Sequence, residues 1–247
     1  MRITKKSTMK KLLSALVVFI SLQSFAQDKD FINDVNAQKR TLNGSFSTIS
    51  VTDGVELFLS QGDEESIAVS ASEDKYMERY KTEVSNGTLR IYYDNKGVNW
   101  TGNDKRKLKA YVSFKQLEKL NASGGAQVKM KQKFTADKME YTFTSGSGFT
   151  GEVDIQQLDV VQNSGASIDI TGTADNLKVE VSSGAVFKGY DLATDFCEAK
   201  ATSGGSVRIN VNKELTVRAH SGGGIRYKGN GVIKDMNVNS GGNVKKG

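Results

Sequence analysis

The sequence predicts an all-β fold: a right-handed parallel β-solenoid, with coils of about 20 residues, preceded by a mixed β unit. Three observations carry this. A short phrase recurs seven times, at Ser123-Gly124-Gly125, Ser145-Gly146-Ser147, Ser164-Gly165-Ala166, Ser183-Gly184-Ala185, Ser203-Gly204-Gly205, Ser221-Gly222-Gly223 and Ser240-Gly241-Gly242. Its Ser positions step by 22, 19, 19, 20, 18 and 19 residues. Between the copies, apolar and polar residues alternate with the period of a half-buried strand. Glycine is abundant (25 residues) and proline absent, which excludes collagen-like and proline-rich linker architectures.

The first 26 residues read as an export signal. Met9-Lys10-Lys11 is a positive start, 12–20 is an apolar run interrupted at Ser14, and Ser24-Phe25-Ala26 offers a small-residue cleavage site. The alternative is a membrane anchor, but the run is short for a bilayer and polar sequence follows at once. No transmembrane segment is expected after cleavage. The place implied is periplasmic, outer-membrane surface or extracellular.

Cleavage changes the charge argument. The whole chain carries 34 basic and 28 acidic residues, net +6. Arg2, Lys5, Lys6, Lys10 and Lys11 lie in the signal with no acid beside them, which leaves 29 against 28, or +1. Net charge therefore gives no case for a polyanion-binding protein as a class, and no nucleic-acid partner is expected. Residues 27–44 are polar and weakly patterned, and are expected to be a flexible lead-in.

The segment 45–120 has strand character without the Ser-Gly beat. Residues 46–51 alternate. Residues 55–59 and 66–69 flank a turn at Gln61-Gly62-Asp63. Ser72-Glu73-Asp74 resembles a helix start with Ser72 as cap, placing Tyr76 and Tyr80 on one helical face. Residues 88–93 and 108–112 read as a strand pair. The connection between them holds Trp100, the only tryptophan, and Lys105-Arg106-Lys107.

The segment 121–247 is the repeat solenoid. In one step, Ala166, Ile168 and Ile170 alternate with Ser167 and Asp169; a turn follows at 171–176; then Leu177, Val179 and Val181 alternate with Lys178 and Glu180. So each repeat is strand, turn, strand, corner. One such unit cannot bury its apolar face alone, but stacked copies bury a continuous core. The corner glycines Gly124, Gly146, Gly165, Gly184, Gly204, Gly222 and Gly241 supply φ > 0. The third position is Gly, Ala or Ser, as crowding at a stacked corner requires. A corner Ser hydroxyl could bond backbone in the next coil; the alternative use is a row of hydroxyls for a repetitive ligand.

Sharper chemistries do not fit. Calcium-binding β-rolls need Asp at a fixed offset, whereas Asp154, Asp169 and Asp191 fall at different offsets. A polysaccharide lyase or hydrolase needs converging carboxylates with a basic partner, and the acids here are scattered singly. Cys197 is alone and lies in a strand-like stretch, so it reads as a small buried residue. His220 and Cys197 make no zinc site. No cofactor, metal or catalytic residue is expected.

The phrases Phe46-Ser47-Thr48-Ile49, Val55-Glu56-Leu57 with Gln61-Gly62-Asp63, and Leu117-Glu118-Lys119-Leu120 running into Ser123-Gly124, together with the Ser-Gly beat, resemble the head GIN domain family (DUF2807) over roughly residues 45–245. Those are exported, autotransporter-adhesin-like proteins common in Bacteroidetes. The resemblance implies a β-solenoid-like fold outside the cytoplasm and hands over no catalytic residues.

The functional expectation is a non-enzymatic binding or structural protein of the envelope, with a glycan or a surface protein as partner. The alternative is an enzyme acting on an extracellular polysaccharide. Tyr92, Trp100 and Arg106, on the 92–107 hairpin, are the candidate binding residues, because hot spots favour Tyr, Trp and Arg. Against this, Trp100 could instead fold back over the end of the stack.

Overall fold

The computed structural model describes residues 34–97 and 105–247. The expected signal, Trp100 and the rest of 98–104 lie outside the described residues. From Asn36 onward the chain forms one compact unit.

Its strands are β1 (Gln38–Arg40), β2 (Thr48–Val51), β3 (Glu56–Gln61), β4 (Ser66–Ser70), β5 (Tyr80–Ser85), β6 (Thr88–Tyr93), β7 (Lys109–Phe114), β8 (Lys119–Ala122), β9 (Gln127–Met130) and β10 (Phe134–Phe143). Four long, bent strands follow, β11 (Gly148–Gln162), β12 (Ser167–Val181), β13 (Val186–Ala201) and β14 (Ser206–Ala219). The last are β15 (Gly224–Lys228), β16 (Val232–Val238) and β17 (Asn243–Lys246).

Each coil has two legs. One precedes the corner turn and one follows it, and a bend closes the far side. Legs pair in parallel with the same leg of the next coil, so Gly148 meets Ser167 and Gln162 meets Val181 at a 19-residue offset. Alternation then aligns like with like. One inward column runs Leu89, Ile49, Leu120, Tyr141, Val160, Val179, Ala199, Val217 and Met236. All but Met236 are buried, within one hydrophobic cluster that runs the length of the stack. Burying a side chain of this size contributes about 1.5–3 kcal/mol.

The corners are type I′ turns. The second and third residues are both left-handed, with Ser145, Ser164, Ser183, Ser203, Ser221 and Ser240 at φ 47–52° and the glycine after each at 71–75°. The first copy is out of phase: there Gly124 (57°) and Gly125 (77°) form the pair and Ser123 stands before it. An eighth turn among the described residues is Thr52-Asp53-Gly54-Val55, with Asp53 at 60° and Gly54 at 71°. Stacking joins these turns directly. The N–H of each third residue donates to the carbonyl of the second residue in the next coil, from Gly54 to Gly124 and on to Gly222 and Ser240, at 2.9–3.3 Å. The row is therefore tied through backbone, while the corner serines point their exposed side chains outward.

The N-terminal unit is mixed, as expected, but its strands do not stack in chain order. β2 lies between β6 and β8, and β3 between β7 and β9, all parallel. The strands at 88–93 and 109–114 are therefore not paired with each other; they are the two legs of one coil, split apart by the core. Likewise β4 pairs antiparallel with β7 rather than with β3, and β5 pairs antiparallel with β6. Within the segment expected to be a flexible lead-in, Gln38–Arg40 form β1, an edge strand antiparallel to β4. Backbone pairing suffices to order it, so its side chains carry little pattern.

The helix expected at Ser72 shrinks to one 3₁₀ turn, Asp74–Tyr76. The Ser72 hydroxyl donates to the Lys105 carbonyl at 2.6 Å instead of capping. Tyr80 is not on a helical face; it opens β5, opposite Tyr93, and is buried.

Candidate functional site

The described ends of the connection from β6 to β7, residues 94–97 and 105–108, stand at the head of the corner row, where every later coil has a tight turn. A polar clasp holds these two ends together. Asp53 in the first turn accepts from the Tyr93 N–H at 3.3 Å and from Asn95 Nδ2 at 2.8 Å, and takes the Thr52 hydroxyl. The Asn95 side-chain oxygen Oδ1 accepts from Arg106 Nη1 at 3.0 Å. The Arg106 guanidinium lies 4.2 Å from the centre of the Tyr93 ring.

Arg106 is only 7% exposed, packed on Tyr93 and bonded to Asn95. Tyr92 follows the strand alternation to the face opposite Tyr93. Its hydroxyl donates to Glu83 Oε1 at 3.0 Å, and this bond to a carboxylate raises the phenol above its ordinary range. Tyr92 and Arg106 thus face apart, and Trp100 lies outside the described residues.

A different surface gathers binding chemistry. On the leg before the corner, Gln157, Asn176, Phe196, Glu214 and Val232 share one outward column. Beside it, Asp159, Lys178, Glu198 and Thr216 share another. Between the columns lies a shallow groove of about 570 Å³, which also reaches Lys234. Phe196 is 41% exposed in this polar setting. Cys197 beneath it is buried, and burial pushes its thiol far above the ordinary value, which makes it a poor nucleophile.

The groove's charges are mutually held. Lys213 bonds Asp195 at 2.8 Å and lies 5.5 Å from the Phe196 ring, Lys234 bonds Glu214 at 3.1 Å, and Arg218 bonds Glu198 at 3.2 Å. The bond from Lys213 holds the Asp195 carboxyl below its usual range. An exposed ring flush with amides and paired charges can stack on the C–H face of a sugar while its neighbours bond the hydroxyls.

Sequence reading missed Phe196, although its parity was visible: Cys197, Ala199 and Ala201 are inward, so Phe196 must point out. A second depression, of about 660 Å³, is lined by turn residues around Ser45, Gly62, Gly87 and Lys115. Among the described residues no helix is long and apolar enough to cross a membrane.

Solved structures share this fold. One from Bacteroides fragilis, described as a "putative adhesin", superposes with a TM-score of 0.76 at 17% identity, covering 85% of this chain and 95% of that one. A "putative lipid binding protein" from Parabacteroides distasonis gives 0.64 at 19% identity, covering 85% and 96%. A "putative adhesin" from Parabacteroides merdae gives 0.66 at 16%, covering 85% and 95%. No curated protein matches the chain. Residues 45–231 match the family profile described as "Putative auto-transporter adhesin, head GIN domain", and the chain belongs to that family.

Proposed function

We propose that the protein is an exported, non-enzymatic, adhesin-like binding protein of the cell envelope, and that it takes a glycan in the groove around Phe196. The observation that carries the reading is Phe196 itself, an exposed aromatic ring among amides and ion pairs on a hydrogen-bonded scaffold. Membership of an adhesin-like family supports the binding role. The signal-like segment 1–26 supports export. A rigid parallel stack suits recognition of a repetitive surface, because its outward columns repeat with the coil.

The test is a glycan-array screen of the exported protein, followed by titration of hits with wild type, Phe196→Ala and Trp100→Ala. Phe196→Ala is expected to weaken binding about tenfold or more while the protein stays folded. Trp100→Ala should leave binding unchanged. The reverse pattern would move the site to the 92–107 hairpin. Turnover of a glycan that is abolished by one Asp or Glu substitution would overturn the non-enzymatic reading.

A further inference from the structure

The leg that follows the corner carries its own outward column. Asp169, Lys188, Arg208, Arg226 and Lys245 occupy the same position on consecutive rungs. Paired strands lie about 4.8 Å apart. Like charges directly opposite each other across a strand pair are destabilising.

Where this occurs elsewhere in the repeats, as at Lys200 opposite Arg218, each cation also holds a carboxylate. Lys200 meets Glu180 at 3.2 Å, Arg218 meets Glu198 at 3.2 Å, and Lys133 lies between Glu152 and Asp154. Lys188 is itself held by Asp169 at 3.6 Å. Arg208, Arg226 and Lys245 are exposed, and among the described residues none has a carboxylate within 4.0 Å. Among the described residues, three like charges therefore stand at rung spacing with no carboxylate partner.

The flanks of the row are not acidic. Two residues before it stand Ser206, Gly224 and Asn243, and two after it Asn210 and Lys228. Lys228 is turned toward Asp191 at 3.8 Å and toward the Tyr190 ring at 5.5 Å. Small hydroxyl and amide side chains beside guanidinium groups suit a ligand with both hydroxyls and anionic groups. The row lacks an uncovered aromatic ring, the usual platform for single-stranded bases.

We infer that the Lys188–Arg208–Arg226–Lys245 column is a binding track for a linear anionic polysaccharide, laid along the solenoid axis with carboxylate or sulfate groups meeting successive rungs. Each guanidinium can hold such a group through two parallel N–H bonds. The bound chain supplies the counter-charge for the row. The track lies on the other leg from the Phe196 groove and does not rest on that assignment.

The test measures binding of the wild-type protein to polygalacturonate, dextran sulfate, neutral dextran and an oligothymidylate at two salt concentrations. Polygalacturonate and dextran sulfate should bind and neutral dextran should not, with affinity falling as salt rises. The relative affinity of the two binders tells carboxylate from sulfate recognition. Arg208→Gln/Arg226→Gln should weaken binding about tenfold or more, because two charge-assisted contacts are lost. Lys138→Gln/Lys200→Gln, which removes the same net charge from paired cations on the other leg, should leave it unchanged. Equal weakening in the two double variants would reduce the effect to net charge and overturn the track. So would tighter binding of the oligonucleotide than of either polysaccharide, or no binding of either polysaccharide at low salt.

Discussion

At the corner, adjacent residues carry different physical demands. Gly184 is left-handed at φ 71°, but a Cβ built there meets nothing within 4 Å. Gly223, one position after the left-handed pair, is the reverse case: a Cβ would lie 2.1 Å from the Ala201 carbonyl oxygen of the preceding coil. Strain and crowding thus fall on different residues of the corner. Gly184→Ala should therefore cost only the backbone term, about 1–2 kcal/mol. Gly223→Ala should cost more, about 2–4 kcal/mol, because the coil must move away from its neighbour. Thermal melts of the two variants check the order, and a larger loss for Gly184→Ala would refute it. Glycine's need for positive φ made these turns legible in the sequence. That serine would share the left-handed region was not legible, because nothing in the phrase separates a turn's first residue from its second; the shifted Gly124-Gly125 pair shows the ambiguity.

At the level of strands, alternation reveals which side chains point inward but not which strand lies alongside. The inward Val, Ile and Leu of β11 to β14 were readable for that reason. The insertion of β2 and β3 between strands later in sequence was not, since its pairings are set by backbone bonds across about 40 to 70 residues rather than by local pattern. The Asp53-Gly54 turn was a missed signal, because Asp-Gly is a strong type I′ dipeptide. Outward columns are legible only once register is known, which is why the Phe196 groove and the basic track were not seen in the sequence. Register also places Glu140 beside Lys119, across the strand pair, and beside Lys138 on its own strand, at 2.8 and 3.3 Å. Hydrogen bonds from both hold the Glu140 carboxyl below its ordinary value of 4.5. A depressed carboxyl favours the folded state above its unfolded value, and that contribution disappears as pH falls through the folded value. The melting temperature should therefore drop below about pH 4.5 in wild type, and Glu140→Gln should remove part of the drop. The part removed should be well under about 1 kcal/mol, because the pair is exposed to solvent. Paired melts at pH 7 and pH 3.5 measure it, and an identical pH profile in the variant would show that the pair contributes nothing.

Across the whole unit, the two ends of the stack are finished differently. At one end, antiparallel β5 covers β6, and β4 with the short, basic β1 covers β7, so the core column begins under buried Leu89. Charged, short edge strands of this kind resist further pairing. At the other end β16 and β17 form the last rung, and the same inward column ends on Met236, which is 50% exposed although its neighbour Val217 is fully buried. Val238 is likewise exposed, where Ala219 above it is buried. Among the described residues no coil lies beneath them, and the register keeps both residues inward. In a stack whose coils contact only their neighbours, stability is nearly a sum of nearest-neighbour terms, and a rung with one neighbour is held by about half of them. Opening should therefore begin at β16 and β17. Amide exchange should be fastest over 232–246 and slowest through β11 to β13. Val217→Ala should cost about 2 kcal/mol and Met236→Ala less than about 1 kcal/mol, although alanine removes more atoms from Met236. Equal costs, or protected amides throughout 232–246, would mean that the last rung is covered in solution and that its inward residues are core like all the others.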